Sequence, residues 1–123
     1  MKKVLIVDDQ DSIRKMLRLA LGSQYDLFEA SEARTAWEIL ERERPDAAIL
    51  DIMMPGEMDG YALCGKIRTT PGLSGIHVVM VTARGQEADR QKGLDNGADA
   101  YFVKPFSPMA LAQHLQTALA GMH

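Results

Sequence analysis

The sequence predicts an α/β domain in which a parallel sheet is covered by helices on both faces. Short aliphatic runs recur along the chain, and a longer amphipathic stretch separates each run from the next. Such alternation is typical of parallel sheets, because every parallel strand needs a long crossover before the next one. With 123 residues, of which 46% are hydrophobic and 25% charged, the chain has the size and composition of one globular domain, so we expect one domain over residues 1–123.

Five strands are predicted from these runs. Four of the runs are clear and one, at 26–30, is weaker; in chain order the five cover residues 4–7, 26–30, 47–50, 77–81 and 100–103. The runs are short and mainly aliphatic, which favours strands that are buried between two layers of helices.

Five helices are predicted between and after the strands. The first ends at Gly22, which suits a left-handed cap, and the second has Ser31 as N-cap and ends before Pro45. The fifth has Ser107 as N-cap and Pro108 at its first position. The inward-facing residues of these three helices are Ile13, Leu17, Ala20 and Leu21, then Ala36, Trp37 and Leu40, then Leu111, Leu115, Ala118 and Leu119.

The fourth helix, at about 86–96, is predicted to be weak. It has few apolar residues and an interior Gly93, which disfavours a helix by about 1 kcal/mol relative to alanine. A helix with few buried contacts is easily displaced, so we expect this element to be the mobile part of the domain.

Composition excludes several classes of function. A net charge of -3 argues against direct binding of nucleic acid. A single cysteine, Cys64, rules out an internal disulfide framework and a multi-cysteine zinc site, which fits a reducing compartment. The apolar run after the first residues is too short for a signal peptide or a spanning helix, so we expect no membrane association and a cytoplasmic location.

Polar residues follow the predicted strands at the ends where ligands bind in sheets of this kind. Asp8 and Asp9 follow the first strand, and Asp51 follows the third. Thr82 ends the fourth strand and Lys104 follows the fifth. Because the carboxyl ends of parallel strands share one edge, we expect these five side chains to converge.

Three carboxylates in one cleft need a cation, since like charges withdrawn from water repel strongly. Oxygen ligands with room for water suit Mg²⁺ better than zinc. With such an ion bound, Asp51 can attack phosphorus and form an acyl phosphate, while Lys104 and Thr82 stabilise the phosphoryl oxygens.

In these residues, Asp8-Asp9, Asp51, Thr82 and Lys104-Pro105, the chain resembles the receiver domain of two-component response regulators, and it is similar to the chemotaxis regulators among them. The resemblance covers essentially the whole chain. It implies a flavodoxin-like fold with strand order 2-1-3-4-5. It also implies a cis peptide bond between Lys104 and Pro105.

The resemblance assigns a role to each site residue. Asp51 would be the phosphoacceptor and Lys104 would contact the phosphoryl group. Asp9, Asp51 and the main-chain carbonyl of Met53 would hold Mg²⁺, with Asp8 acting largely through water. Separately from these ligands, Thr82 and Tyr101 match the switch pair of the family.

The resemblance also implies partners. A histidine kinase or a histidine phosphotransfer protein would donate the phosphoryl group. The switch would then change binding of a downstream protein or output domain through the fourth helix, fifth strand and fifth helix.

Two features depart from the pattern of the family. The loop at 54–60 is one residue longer than the common form, which bears on the geometry beside Asp51. Arg84 stands where a smaller or acidic residue is common, and Met53 offers no group to orient a water molecule. We therefore expect the acyl phosphate on Asp51 to hydrolyse slowly.

Two other functions compete with the phosphorylation switch. A phosphatase with an aspartate nucleophile needs a second carboxylate two residues after it as general acid, and that position is Met53, so we expect a phosphoacceptor and not an enzyme. A receiver that acts only as a scaffold, independently of phosphorylation, is the other alternative, although the five marks of the family are intact.

Several of these residues also have a purely structural interpretation. Tyr101 could be a packing residue of its strand, and Thr82 a strand former. Cys64 is interpreted as a small half-buried residue of the third helix and not as a redox sensor. His77 and His114 show no ligand spacing, and no chemistry is assigned to them.

Overall fold

In the computed structural model, residues 1–83 and 87–121 are described, and for 87–90 the description extends to the backbone only. The strands are β1 (Lys3–Val7), β2 (Asp26–Ala30), β3 (Ala47–Asp51), β4 (His77–Thr82) and β5 (Ala100–Val103). The helices are α1 (Asp11–Leu21), α2 (Ala33–Glu43), α3 (Gly60–Thr69), α4 (Glu87–Asp95) and α5 (Pro108–Ala120), and a short 3-10 turn, Gly22–Gln24, follows α1.

The five strands form one parallel sheet with the order β2-β1-β3-β4-β5. This order and the alternation of strands and helices confirm the predicted fold. The chain reverses its direction of winding between β2 and β3, so β1 and β3 lie side by side at the centre. A cleft at the carboxyl ends of these two central strands is where a doubly wound sheet binds ligands.

Alternate residues of the strands supply two hydrophobic cores. Leu5, Leu50 and Met80 face α2 and α3, whereas Ile6 and Val79 face α1 and α5. The helices close the two cores with fully or nearly fully buried side chains, which are Ala36, Leu40, Leu63 and Ile67 on one face and Leu17, Leu21, Leu111, Leu115 and Leu119 on the other. Burial of both faces explains why the strands read as continuous apolar runs.

The ends of the helices agree with the sequence in part. Ser107 caps α5 by accepting a hydrogen bond from the Ala110 amide, with Pro108 in the first turn, as predicted. Ser31 was wrongly predicted to cap α2, because that helix begins later, at Ala33, with Glu32 in the cap position. Gly22 has the expected positive φ of 57°, but its ψ of -139° lies outside the left-handed helical region, and the chain turns into the 3-10 segment.

No helix in the described ranges has both the length and the apolar character that crossing a membrane requires.

Candidate functional site

The predicted site residues lie together at the carboxyl edge of the sheet. Asp8 and Asp9 directly follow β1, Asp51 and Thr82 end β3 and β4, and Lys104 directly follows β5. Because every neighbouring pair of strands is parallel, these ends meet at one edge. The structure brings the residues together, whereas the role of each remains a prediction.

The three carboxylates form an acidic cluster. One carboxylate oxygen from each of Asp8, Asp9 and Asp51 lies within 4.8 Å of the others. Asp8 and Asp51 are 2% and 3% exposed, whereas Asp9 is open to solvent. The cluster therefore combines two buried acids with an accessible one, which leaves a path by which a cation can enter.

Lys104 is the cation that reaches this cluster. Its Nζ lies 3.1 Å from Oδ2 of Asp8 and 3.6 Å from Oδ1 of Asp51. The Lys104-Pro105 peptide bond is cis, which confirms the prediction for this bond. Within the described part of the site, this one ammonium faces three carboxylates, which leaves a surplus of negative charge there.

That surplus shifts the ionisation of Asp51. Burial and then the Asp8 charge raise the pKa of Asp51 from 3.8 to about 7, although the Lys104 ammonium and a hydrogen bond from the Met53 amide oppose the shift. The carboxyl group of Asp51 is thus held between its neutral and ionised forms near neutral pH. Added positive charge would favour the ionised form, which is the nucleophilic one.

The cluster fits a hard divalent cation. All of its side-chain donors are carboxylate oxygens, and the geometry gathers them around one point with one side open. The raised pKa of Asp51 agrees with this, because a bound cation would offset the burial and the Asp8 charge that raise it. These residues could hold Mg²⁺, and water would complete its coordination.

Met53 lies at the mouth of this site. Its amide donates a 3.3 Å hydrogen bond to Oδ1 of Asp51, and its side chain is 54% exposed. This side chain therefore points into solvent. Met54 is buried and Met58 packs against the core.

Thr82 and Tyr101 share one face of the sheet. Side chains alternate along a strand, so Thr82 lies on the same face as Met80, which pairs with Tyr101 of β5. Thr82 is fully buried, and Tyr101 is partly buried against the core beneath α2 and α3. A change at the carboxyl edge therefore has a short route, along β4, to the Tyr101 ring.

Gly93 explains the weakness of α4. A Cβ at this position would lie 3.2 Å from the Tyr101 ring and 3.3 Å from the Met80 sulfur. The absence of a side chain lets α4 approach β5 closely, at the cost of helix propensity. Gly93, which lowers the helix propensity of α4, thus leaves space for the Tyr101 ring.

Two residues that sequence reasoning overlooked support the site. A Cβ on Gly60 would lie 2.5 Å from the Asp51 carbonyl oxygen, so only glycine lets α3 begin this close to the end of β3. The Asp59-Gly60 pair at the start of a predicted helix was the available signal, and Asp59 does cap α3. Arg14 of α1 donates a 2.6 Å hydrogen bond to the Asp8 carbonyl, and nothing in the sequence pattern indicated that contact.

Two further expectations concern residues near the site. Cys64 is fully buried and not half-buried as expected, because α3 turns it into the core, where its thiol donates to the Asn96 carbonyl at 3.3 Å. Burial raises the pKa of this thiol, which makes it unreactive. Arg84, one of the two residues on which the expected slow hydrolysis rests, lies outside the described residues.

Comparison with known families supports the fold and the family resemblance. The family model of the response regulator receiver domain matches residues 4–116. A relative in Guillardia theta, the probable transcriptional regulator ycf27, is 46% identical over 119 residues, which cover 96% of this chain and 45% of the relative. The chain thus spans about half the length of this relative.

Solved structures of similar proteins lead to the same conclusion. The chemotaxis response regulator CheY4 of Vibrio cholerae is 33% identical, with a TM-score of 0.88 over 97% of this chain and 99% of that one. The DrrB receiver domain, solved in a BeF3-activated form, is 27% identical with a TM-score of 0.89 over 98% of both chains. The likeness extends over nearly the whole length of both structures.

Proposed function

Since this chain belongs to the response regulator receiver domain family, we propose that it is a phosphoacceptor switch whose acceptor is Asp51. The carrying observation is the geometry of Asp51, which is buried beside Asp8 with the Lys104 ammonium 3.6 Å from its carboxylate. The donor would be a phosphohistidine on a histidine kinase or a histidine phosphotransfer protein. The activation of the DrrB receiver domain by BeF3 supports an equivalent activation here at Asp51.

The transfer would be a displacement at phosphorus. A carboxylate oxygen of Asp51 forms the new bond to phosphorus, the bond from phosphorus to the histidine nitrogen breaks, and that nitrogen keeps the electron pair. Lys104 already contacts Asp8 and Asp51, so a small movement would bring its ammonium to a phosphoryl oxygen. Thr82, at the end of β4, would offer its hydroxyl to another.

Mg²⁺ would be held by Asp8, Asp9 and Asp51, with the Met53 carbonyl as a further ligand, and it would neutralise the charge that accumulates during transfer. Asp9 is the exposed member of the cluster and so the first to meet an incoming ion. Asp8 and Asp51 are buried, and they would hold the ion against the end of the sheet.

Phosphorylation would then change how the surface formed by α4, β5 and α5 binds a partner. A phosphoryl group adds nearly two negative charges, and Thr82 would turn toward them, which changes the space available to Tyr101. Two apolar side chains on this surface, Leu94 and Val103, are 38% and 40% exposed, a property that suits protein binding. The partner would be a downstream protein or an output domain, since the ycf27 relative is named as a transcriptional regulator.

We propose a switch and not a phosphatase, because no acid stands at the position where a phosphatase needs one. The side chain two residues after Asp51 is the thioether of Met53, which cannot donate a proton. The acyl phosphate would therefore persist until water attacks without help from this position.

The direct test is labelling with a small phosphoryl donor. We expect Mg²⁺-dependent incorporation of one phosphoryl group from phosphoramidate, in a linkage that hydroxylamine cleaves as it cleaves acyl phosphates. Asp51→Asn abolishes incorporation, whereas Asp26→Asn, which changes an exposed aspartate of β2, does not. Equal labelling of the Asp51→Asn variant would refute the assignment.

Asp9 offers a separate test of the cation site. Asp9→Ala removes an exposed side chain and leaves Asp51 in place, so the fold should persist while the dependence of labelling on Mg²⁺ is lost. Unchanged dependence on Mg²⁺ in this variant would remove Asp9 from the site.

A further inference from the structure

Two histidines lie in contact at the opposite edge of the sheet from the acidic cluster. His77 is the first residue of β4 and His114 lies in the middle of α5, and their Nε2 atoms are 2.8 Å apart. Both side chains are partly buried, and neither takes part in the phosphoacceptor chemistry proposed above. Two imidazole nitrogens that face each other at this distance need something between them, either one shared proton or one metal ion.

Neighbouring groups hold both rings in place. Nδ1 of His77 lies 3.6 Å from Oδ2 of Asp99, and that oxygen accepts hydrogen bonds from the Val78 amide at 2.8 Å and from Arg68 at 2.6 Å. The His114 ring packs edge-on against Phe102, with 5.8 Å between ring centroids. The carboxylate is itself anchored, so it can orient the histidine beside it.

The carboxylate also favours one position for the proton of His77. With Oδ2 of Asp99 3.6 Å from Nδ1, the tautomer protonated on Nδ1 is favoured, and it directs the lone pair of Nε2 toward His114. Burial lowers the pKa of His77, so the ring is neutral at neutral pH. A neutral imidazole whose second nitrogen faces a carboxylate is the usual arrangement of a metal-binding histidine.

We propose that His77 and His114 form a two-imidazole binding site for one Zn²⁺ ion, distinct from the acidic cluster. Two nitrogens bound to one tetrahedral zinc ion at about 2.0–2.1 Å lie about 3.3 Å apart, so the rings would have to separate by about 0.5 Å from the observed 2.8 Å. A slight separation of the rings would admit the ion between them. Water would supply the remaining ligands, because both rings are partly accessible to solvent.

Ligand chemistry separates this site from the acidic one. Imidazole nitrogens favour zinc, copper and nickel, whereas carboxylate oxygens and water favour magnesium. When both rings are neutral, binding at the pair releases no proton, since the Nε2 proton of His114 can move to its Nδ1. At low pH, protons would compete with the ion for the ring nitrogens and weaken binding.

The ion would join two elements that are distant in sequence. His77 begins β4 and His114 belongs to α5, so a shared ligand would tie the strand to the helix that covers it. Because only the folded chain brings the two rings together, Zn²⁺ binding would raise the melting temperature.

The test is a zinc titration of the whole chain with excess Mg²⁺ present to fill the acidic cluster. We expect one Zn²⁺ per chain, a rise in melting temperature, and displaced NMR signals of the His77 and His114 rings. His77→Gln and His114→Gln should each weaken binding by about tenfold or more. Two matched controls, His123→Gln and Asp26→Asn, should bind zinc as the parent does.

Each other outcome contradicts the proposal. Parent-like affinity in His114→Gln would show that the pair shares only a proton. If Asp51→Asn or His123→Gln lost zinc binding while the His77 and His114 variants kept it, the zinc site would lie in another part of the chain. If His77→Gln unfolded, as judged by circular dichroism, His114→Gln and the ring signals of the parent would still decide the question.

Discussion

The carboxyl and amino edges of the sheet differ in how far their acidic side chains are paired with positive charge. At the carboxyl edge, Asp8 and Asp51 are almost wholly buried and share one ammonium, that of Lys104. At the amino edge, Asp99 stays 42% exposed and is matched by the guanidinium of Arg68 and by the Val78 amide. Among the described residues, the charge of Asp99 at the amino edge is matched, whereas the charge of the acidic cluster at the carboxyl edge is in surplus.

Arg68 shows what a balanced edge does for the fold. Its guanidinium donates to the carbonyls of Ser74, Ile76 and Gly97 as well as to Asp99, so it ties α3 to the start of β4 and to the turn before β5. Charge that is satisfied in this way stabilises the folded state. Charge left in surplus destabilises the free protein and would favour binding of a cation, in agreement with the function that we propose for this edge.

The largest loss of stability should follow from removing the Arg68 guanidinium at the amino edge. Arg68→Met removes four hydrogen bonds and leaves carbonyl groups without partners, so we expect the free energy of unfolding to fall by about 2–4 kcal/mol. Chemical denaturation would measure the change. Arg42→Met is the control, since Arg42 is 62% exposed, pairs only with Glu43 and should cost less than about 1 kcal/mol. Equal effects of the two substitutions would contradict the comparison.

The unbalanced edge should respond to pH in the metal-free protein. The pKa of Asp51 is about 7 in the folded chain against 3.8 for the free group, so the folded state keeps a proton that the unfolded state releases. The free energy of unfolding should therefore fall as pH rises from about 4 to about 7.

Asp51→Asn removes this dependence. We expect the metal-free variant to be more stable than the parent by about 1–3 kcal/mol at about pH 8, and Mg²⁺ to narrow the difference by stabilising the parent. Denaturation at several pH values, with and without Mg²⁺, would measure both effects. A parent whose stability rose across this range would show that the carboxylates do not repel each other as the structure indicates.

The amino edge should have a smaller pH dependence of the opposite sign. Burial lowers the pKa of His77, and the charges of His114 and Arg68 add to that effect, while the carboxylate of Asp99 opposes it. The unfolded chain then binds the proton first, so the free energy of unfolding should fall as pH drops below about 6.5, by about 1 kcal/mol or less. His77→Gln should remove the slope in this range, and a slope that persists would assign it to another group.

The smallest effect is expected in α4, the element that connects the two edges. Gly93→Ala gains about 1 kcal/mol of helix propensity, but the new methyl group meets the Tyr101 ring, so the net change in stability should be near zero. In a Tyr101→Ala background the new methyl group has no ring to meet, so Gly93→Ala should raise the free energy of unfolding by about 1 kcal/mol. A double-mutant cycle would measure this, and equal gains in the two backgrounds would remove the steric link between α4 and Tyr101.

Much of this protein follows from its sequence. The runs that became β1, β3, β4 and β5 could be read directly, because strands buried on both faces need continuous apolar residues. Once the strands are parallel, the positions of Asp8, Asp51 and Lys104 at one edge follow from topology alone. Local chemistry likewise predicted the Ser107 cap, and the family resemblance implied the cis bond before Pro105.

Only the tertiary structure decided which side chains meet across the sheet. The contact of His77 with His114, 37 residues apart, depends on the rotation of α5 about its axis and on its height above β4, and neither leaves a periodic signal. The same holds for the close approach of Gly93 to the Tyr101 ring and for the hydrogen bonds from Arg68 to backbone carbonyls. Sequence determines where a strand ends because the hydrophobic pattern stops there, whereas helix packing is determined by the sum of many weak contacts that no short stretch contains.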